Sequence, residues 1–264
     1  MAAPRIWLVG CGNMGGAMLR GWLAHGLQPA DILVIDPGAR DLPPGVGRAD
    51  KAEGPPPEIL VLGIKPQMLD PVAATLPVDA RTLVISILAG VEVATLAARL
   101  PGARAYVRVM PNMPAGIGEG ISALFSPGLD IAGRAEVDHL IAPLGIARWI
   151  EDEDLFHAVT GVSGSGPAFV FRFVDALAAA GEAEGLDTEL ARLLALHTIA
   201  GSARLALQTG KAPADLAESV RSPNGTTHAG LLVLDSSALA EIMAQTIAAT
   251  ARRSRELAAE ARAR

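Results

Sequence analysis

The chain has 264 residues, 50% of them apolar and 19% charged, which supplies a substantial core for one large or two modest domains and excludes a disordered chain. A formal net charge of -6 lacks the basic stripe of a phosphate-backbone binder, so nucleic acid is not an expected partner. The lone cysteine, Cys11, excludes an internal disulfide and a cysteine-held zinc and fits a reducing, cytoplasmic setting.

Met1 to Arg5 leads straight into the apolar run Ile6–Val9 without a secretion signal. Uncharged stretches elsewhere are broken by Gly, Pro or Ser before the roughly eighteen apolar residues that a bilayer span takes, so none is expected. Strands are predicted at residues 6–9, 32–35, 59–64, 83–87 and 105–109, alternating with helical segments. Each is a continuous apolar run without period-two alternation, the pattern of a mainly parallel sheet covered by helices on both faces. The fold class is therefore α/β, with an N-terminal doubly wound Rossmann domain. Residues 38–57, rich in Gly, Pro and charge, read as loop with at most one short helical turn.

The acidic run 151–154 follows Trp149, and no convincing strand comes after it. The boundary is placed there, giving a nucleotide-binding domain of residues 1–154 and an all-helical domain of residues 155–264. Helices are predicted over 167–184, 188–208 and 213–220, one from roughly His228 and a last one from about Ser236. Pro167 suits a first helical turn, and Gly185 and Gly210 stand where helices stop. Residues 168–180 carry only Arg172 and Asp175 as charges. That helix is apolar nearly all round and needs cover on most sides. Cover from a second copy makes the protein at least a homodimer; burial inside one compact domain is the plainer reading.

Ile6–Val9 runs into Gly10-Cys11-Gly12-Asn13-Met14-Gly15 and then a helical segment, the dinucleotide-binding fingerprint in strand–turn–helix context. Gly10 allows the tight turn, Gly12 the approach of the pyrophosphate, and Gly15 close helix–strand packing. Asp36 ends the second strand where an acidic side chain accepts from the adenine ribose hydroxyls, which favours NAD. Arg40 and Arg48 in the next loop suit a 2′-phosphate instead, which leaves NADP open. Gly63-Ile64-Lys65-Pro66 and Ser86-Ile87-Leu88-Ala89-Gly90 end strands that face the ligand crevice in this fold, placing Lys65 for a phosphate or ribose. The prolines of Arg108-Val109-Met110-Pro111-Asn112-Met113-Pro114 stiffen a loop after a strand, which suits a border of the nicotinamide or substrate but alone is only a rigid turn. Gly161-Val162-Ser163-Gly164-Ser165-Gly166-Pro167 reads as a turn, foremost a helix cap, that also suits a small-ligand boundary. Ser222-Pro223-Asn224-Gly225-Thr226-Thr227 leads into a helix, and its free N–H groups suit a carboxylate. His25, His139, His157, His197 and His228 are scattered singly and read as structural; no metal site is predicted.

In this order and spacing, the glycine loop, Ile64-Lys65-Pro66-Gln67, residues 86–91, 108–114, 161–169 and 222–227 resemble pyrroline-5-carboxylate reductase over nearly the whole chain. The resemblance implies reduction of the cyclic imine 1-pyrroline-5-carboxylate to L-proline by hydride from NADPH or NADH, in dimers that assemble further into decamers. Carried over by position, Val9, Gly10, Cys11, Gly12, Asn13, Met14, Asp36, Asp50, Gly63, Ile64, Lys65, Pro66, Ile87, Leu88 and Ala89 line the cofactor. Ser222, Gly225, Thr226 and Thr227 hold the substrate, with Thr227 and Ser222 in the catalytic role. The loop departs from the usual Ser-Pro-Gly-Gly-Thr-Thr at Asn224, a residue that tolerates positive φ. A usual lysine is Ala217, and a usual amide position is Ser219. A rival reading, resembling the β-hydroxyacid dehydrogenases, needs a lysine on the helix after the linker. Arg172 is the only cation there, and it exchanges protons poorly near neutral pH. A second alternative is a nicotinamide-binding regulatory protein without turnover.

Overall fold

A computed structural model describes residues 4–262. The chain divides into two compact units, one running to Ser165 and resumed from Ala248, the other spanning Gly166–Ile247. In the first unit the described strands are β1 (Ile6–Val9), β2 (Ile32–Ile35), β3 (Gly47–Ala49), β4 (Ile59–Leu62), β5 (Leu83–Ser86), β6 (Ala105–Met110), β7 (Gly120–Phe125) and β8 (Gly145–Trp149). They form one sheet in the order β3-β2-β1-β4-β5-β6-β7-β8. Pairing is parallel from β3 through β6, antiparallel between β6 and β7, and parallel between β7 and β8. The doubly wound, mainly parallel sheet expected from the apolar runs is present.

Every residue of β1, β4 and β5 is buried, because successive side chains enter opposite faces and both faces are covered. Leu8, Val34, Val61 and Ile85 face a cluster with Met18 and Trp22 of α1 (Asn13–Ala24). Trp7, Val9, Leu60, Leu62 and Val84 face the other cluster, with Leu69 and Ala73 of α2 (Leu69–Ala73) and Leu96 of α3 (Val93–Arg99). Val137 and Leu140 of α4 (Ile131–Ile141) join the first cluster. Trp22 is fully buried, and its indole N–H donates to the Leu140 carbonyl at 2.7 Å, which satisfies its polar atom inside the core.

Three strands differ from expectation. β3 lies inside the stretch read as loop; it is a short edge strand of Gly, Arg and Ala, paired to Leu33, Val34 and Ile35. Such a strand carries no hydrophobic period to read. β7 and β8 lie outside the expected strands: each opens on glycine, β7 mixes buried with exposed positions, and β8 alternates half-buried with exposed ones. The stretch 161–167, expected as a turn with a cap, is helical instead: α5 (Phe156–Val159) continues as a π-helix over Thr160–Gly164.

The second unit holds α6 (Gly166–Ala183), α7 (Thr188–Thr209), α8 (Pro213–Ser219), α9 (Thr226–Ser236) and the start of α10 (Leu239–Arg262). Asp187 caps α7, accepting from the amides of Glu189 and Leu190, and Gly210 ends it at φ 64°. Gly185 follows α6 at φ 98°. α6 and α7 meet through a small cluster of Val174, Ala178, Ala191 and Ala195. Most of their large apolar side chains stay outside it; Phe171 is 54% and Leu193 52% exposed. α7 is also long and apolar enough to cross a bilayer by length and composition, as are α9 and α10 if that bent pair is counted as one span. Searching for uninterrupted apolar runs overlooks α7, because its polar residues are interspersed along its length.

Gly145 (φ 122°) lets β8 leave the preceding helical turn, and a Cβ there collides with the Gly120 carbonyl. Gly102 has a similar φ of 93° but open space around it. Gly145→Ala is expected to lower unfolding stability by about 3 kcal/mol and Gly102→Ala by about 1 kcal/mol. Urea midpoints of both variants check this; equal losses refute the collision.

Candidate active site

β1 ends at Val9, and Gly10 turns the chain at φ 89°. The Gly10 amide donates to Ile35 O at 3.0 Å and the Gly63 amide to Val9 O at 2.8 Å, stitching the loop to the ends of β2 and β4. A Cβ on Gly10 would lie 2.8 Å from the backbone of Gly63, and one on Gly63 would lie 2.9 Å from Gly10 O. A Cβ on Gly15 would collide with the same carbonyl. Gly12 is different: nothing lies within 4 Å of its would-be Cβ. α1 starts beside it with no side-chain cap and no acidic residue in its first turn, so its N-terminal amides and dipole are available to an anion.

Gly12 lines two cavities. One, of about 630 Å³, includes Val9, Gly10, Asp36, Asp50, Gly63, Ile64 and Lys65. The other, of about 1010 Å³, includes Cys11, Asn13, Met14, Arg40, Met110, Pro111, Asn112, Met113 and Gly164. The two cavities adjoin at Gly12, beside the start of α1. Asp36 is held by two amides: Oδ2 accepts from Cys11 N and Oδ1 from Gly38 N, each at 2.7 Å. Arg48 Nη2 donates to Asp50 Oδ1 at 2.7 Å and to Pro37 O at 3.2 Å. Burial and then Asp36 push the Cys11 thiol up from its ordinary value, which suppresses its thiolate chemistry.

Not all the residues singled out in the sequence meet here. Pro66 and Ala89 line a third cavity, of about 310 Å³, with Val91 and Leu257. Leu88 is core, and Ile87 packs against the core beside Gly63. Among the described residues no group of three or more His, Cys, Asp or Glu could hold a metal ion.

Sequence reasoning overlooked the support of the 110–113 loop. Arg108 of β6 is buried, its guanidinium 4.2 Å above the Phe156 ring, and Nη1 donates to Glu153 Oε1 at 3.1 Å. The same oxygen accepts from Val93 N at 2.9 Å. Burial pushes the Arg108 pKa down, and Glu153 counters it. Glu153 belongs to the acidic run read only as a boundary. His157 is buried with Nδ1 2.9 Å from Ser254 Oγ of α10. Asn112 Oδ1 accepts from Ile121 N at 3.0 Å, which fixes the loop to β7. Within the π-helix, Ser163 Oγ donates to Val159 O at 3.0 Å. Gly164 leaves room for Met110, whose Cε would be 2.6 Å from a Cβ there.

In the second unit, Asn224 has φ 56°, the one non-glycine positive φ among the described residues. The turn closes through Gly225 N to Ser222 O at 3.0 Å, and a Cβ on Gly225 would strike Ser222 Oγ. α9 then starts at Thr226, followed by Thr227, without a side-chain cap. Arg221 braces this turn, donating to Glu218 at 2.8 Å and to Asp235 at 3.2 Å. Ala217 and Ser219 lie on α8, where the Ser219 hydroxyl donates to Leu216 O.

A doubly wound sheet with a glycine loop shaped for phosphates, joined to a helical unit, defines a nicotinamide-dependent oxidoreductase. Residues 5–90 match the family description "NADP oxidoreductase coenzyme F420-dependent", and residues 153–257 match "Pyrroline-5-carboxylate reductase dimerisation". The chain is 37% identical to the pyrroline-5-carboxylate reductase of Pseudomonas aeruginosa, covering 98% of each chain, and 32% identical to that of Arabidopsis thaliana, covering 96% and 95%. Among solved structures, the pyrroline-5-carboxylate reductase of Coxiella burnetii superposes with a TM-score of 0.87 at 31% identity, covering 97% of this chain and 99% of that one. The Plasmodium falciparum enzyme with NADP bound gives 0.83 at 25% identity, covering 98% and 99%. The chain belongs to the pyrroline-5-carboxylate reductase family. The matched dimerisation segment, residues 153–257, includes the apolar surfaces of α6 and α7, and the protein is a homo-oligomer.

Gly12→Ala is expected to leave the urea midpoint nearly unchanged, within about 0.5 kcal/mol, while weakening nucleotide binding about tenfold or more. Gly15→Ala should instead lower the midpoint itself; the reverse pattern refutes the assignment of Gly12 to the phosphates. Burial, followed by Arg108 and Arg255, lowers the His157 pKa against the opposing pull of Asp154 and Glu92. The unfolded chain takes up that proton near about 6.5 and the folded chain only at lower pH, so stability should fall as pH drops below about 6.5. Melting temperatures across this range should show a flatter profile for His157→Gln.

Proposed function

We propose that this chain reduces 1-pyrroline-5-carboxylate to L-proline, with residues 1–154 binding the nucleotide and residues 155–264 serving the substrate and the dimer. The observation that carries the reading is the 222–227 turn. Its Asn224 and Gly225 conformations lead into an uncapped helix N-terminus whose first two residues are Thr226 and Thr227, which suits a small carboxylate. Amides at the start of α9, with Ser222 and Thr226, hold the substrate carboxylate. The Thr227 hydroxyl accepts from the protonated ring nitrogen, fixing the imine plane. A reduced nicotinamide, when bound, supplies the hydride that the imine carbon accepts. The imine is basic enough to arrive protonated, so positioning contributes more than acid catalysis, and Thr227 serves as an acceptor that orients the ring.

Val9 to Met14, Asp36, Asp50 and Gly63 to Lys65 hold the nucleotide. Pro66 and Ile87 to Ala89 support its cradle from behind. The protein works in the cytoplasm, as dimers that assemble into decamers.

Thr227→Val is expected to lower kcat/KM for the imine roughly tenfold or more, with NAD(P)H binding unchanged and Thr227→Ser largely restoring activity. Absorbance loss of NADH and NADPH with the five-membered imino acid measures this. No oxidation of either cofactor by the unmodified protein would sink the assignment in favour of a binding protein without turnover.

A further inference from the structure

We infer that Arg108 and Glu153 are positioning residues of the reaction, holding the 110–113 segment against the larger cavity in the placement that turnover requires. The inference rests on the reductase reading above. Arg108 lies near the end of β6, in register with Ser86 of β5 on one side and Phe125 of β7 on the other. Two residues later Met110 opens the stretch that lines the larger cavity through Met113, while Arg108 stands outside that lining. Its guanidinium is buried instead, 4.2 Å above the Phe156 ring and bonded to Glu153 Oε1 at 3.1 Å. Any effect of Arg108 on turnover therefore passes through the segment that follows it.

Glu153 adds a second hold. Oε1 also accepts at 2.9 Å from Val93 N, the first amide of α3, a helix that has no side-chain cap from its own N-cap residue. One carboxylate oxygen thus joins the end of β6 to the segment that follows β5, where Ile87 to Ala89 stand. Beyond Arg108 the segment has two further anchors. Met110 Cε fills the space that a Cβ on Gly164 would need, and Asn112 Oδ1 accepts from Ile121 N at 3.0 Å. A buried ion pair is weak evidence for a stabilising role, because well-packed apolar residues of like volume often serve stability equally well. What apolar residues cannot supply is direction: a planar fork aimed at one oxygen and an acceptor aimed at one amide. The pair fixes geometry, and the geometry lies next to the cavity wall.

The double variant Arg108→Met/Glu153→Gln tests the inference, because Gln still offers Val93 an acceptor and neither residue leaves the other as an unpaired buried charge. Assayed with the five-membered imine and NADPH, its kcat should fall about tenfold or more, while the Kd for NADPH changes by less than about twofold. The urea midpoint should stay near that of the unmodified protein. An unmodified kcat in the folded double variant overturns the inference. A fall in kcat matched by an equal loss of NADPH binding or of folded protein also overturns it, since a merely structural pair behaves that way. If the double variant does not fold, Glu153→Gln alone decides by the same comparison of kcat with Kd. Absence of turnover in the unmodified protein overturns the reductase reading, and this inference with it.

Discussion

Three glycines let backbone pass against backbone where a side chain cannot fit. Gly10 and Gly63 leave 2.8–2.9 Å between a would-be Cβ and the opposing main chain, and Gly15 sits against the same Gly10 carbonyl. This crossing brings the ends of β1, β2 and β4 and the start of α1 to one point. It also leaves the next glycine, Gly12, standing in open space. The loop is dense on its protein side and empty on its ligand side, and that asymmetry separates a phosphate-binding turn from an ordinary tight one.

The surroundings keep the crossing rigid. Asp36 ties the loop to the turn after β2, and both sheet faces are filled, one around Trp22 and the other around Leu60 and Leu96. On the far side of the site the bracing is ionic: Arg108 pairs with Glu153 while stacking on Phe156. A buried arginine is tolerable there because its partner, an aromatic face and the Val93 amide form one connected arrangement. The 222–227 turn has its own brace in Arg221, which grips Glu218 and Asp235. The segment after β6 and the 222–227 turn are thus each backed by an arginine whose charge is used internally.

Much of this was legible from residues alone, where local pattern and structure share a cause. The five central strands announced themselves through unbroken apolar runs, the helix ends through Gly185 and Gly210, and the tolerance of Asn224 for a positive φ through its short side chain. What stayed hidden depends on partners distant in sequence. β3 is a strand because Leu33, Val34 and Ile35 lie beside it, not because of its own Gly, Arg and Ala. Glu153 reads as one more acidic residue until Val93 and Arg108 meet it. The π-helix over Thr160–Gly164 looked like a turn because glycine and serine dominate it, yet the Ser163 hydroxyl bonds back to the carbonyl of Val159.

The helix α10 belongs to both units, and its later half supplies Ser254 to His157, Arg262 to Glu92, and the backbone around Leu257 and Ala258 that rests against Gly90. The nucleotide unit is consequently interrupted in chain order by Gly166–Ile247. During translation its sheet can form early, but its last wall is missing until the whole helical insert has left the ribosome. Closing that wall joins residues far apart in sequence, 97 positions between His157 and Ser254 and 170 between Glu92 and Arg262, and such distant pairings slow folding. The sheet is thus encoded ahead of the segment that completes its flank.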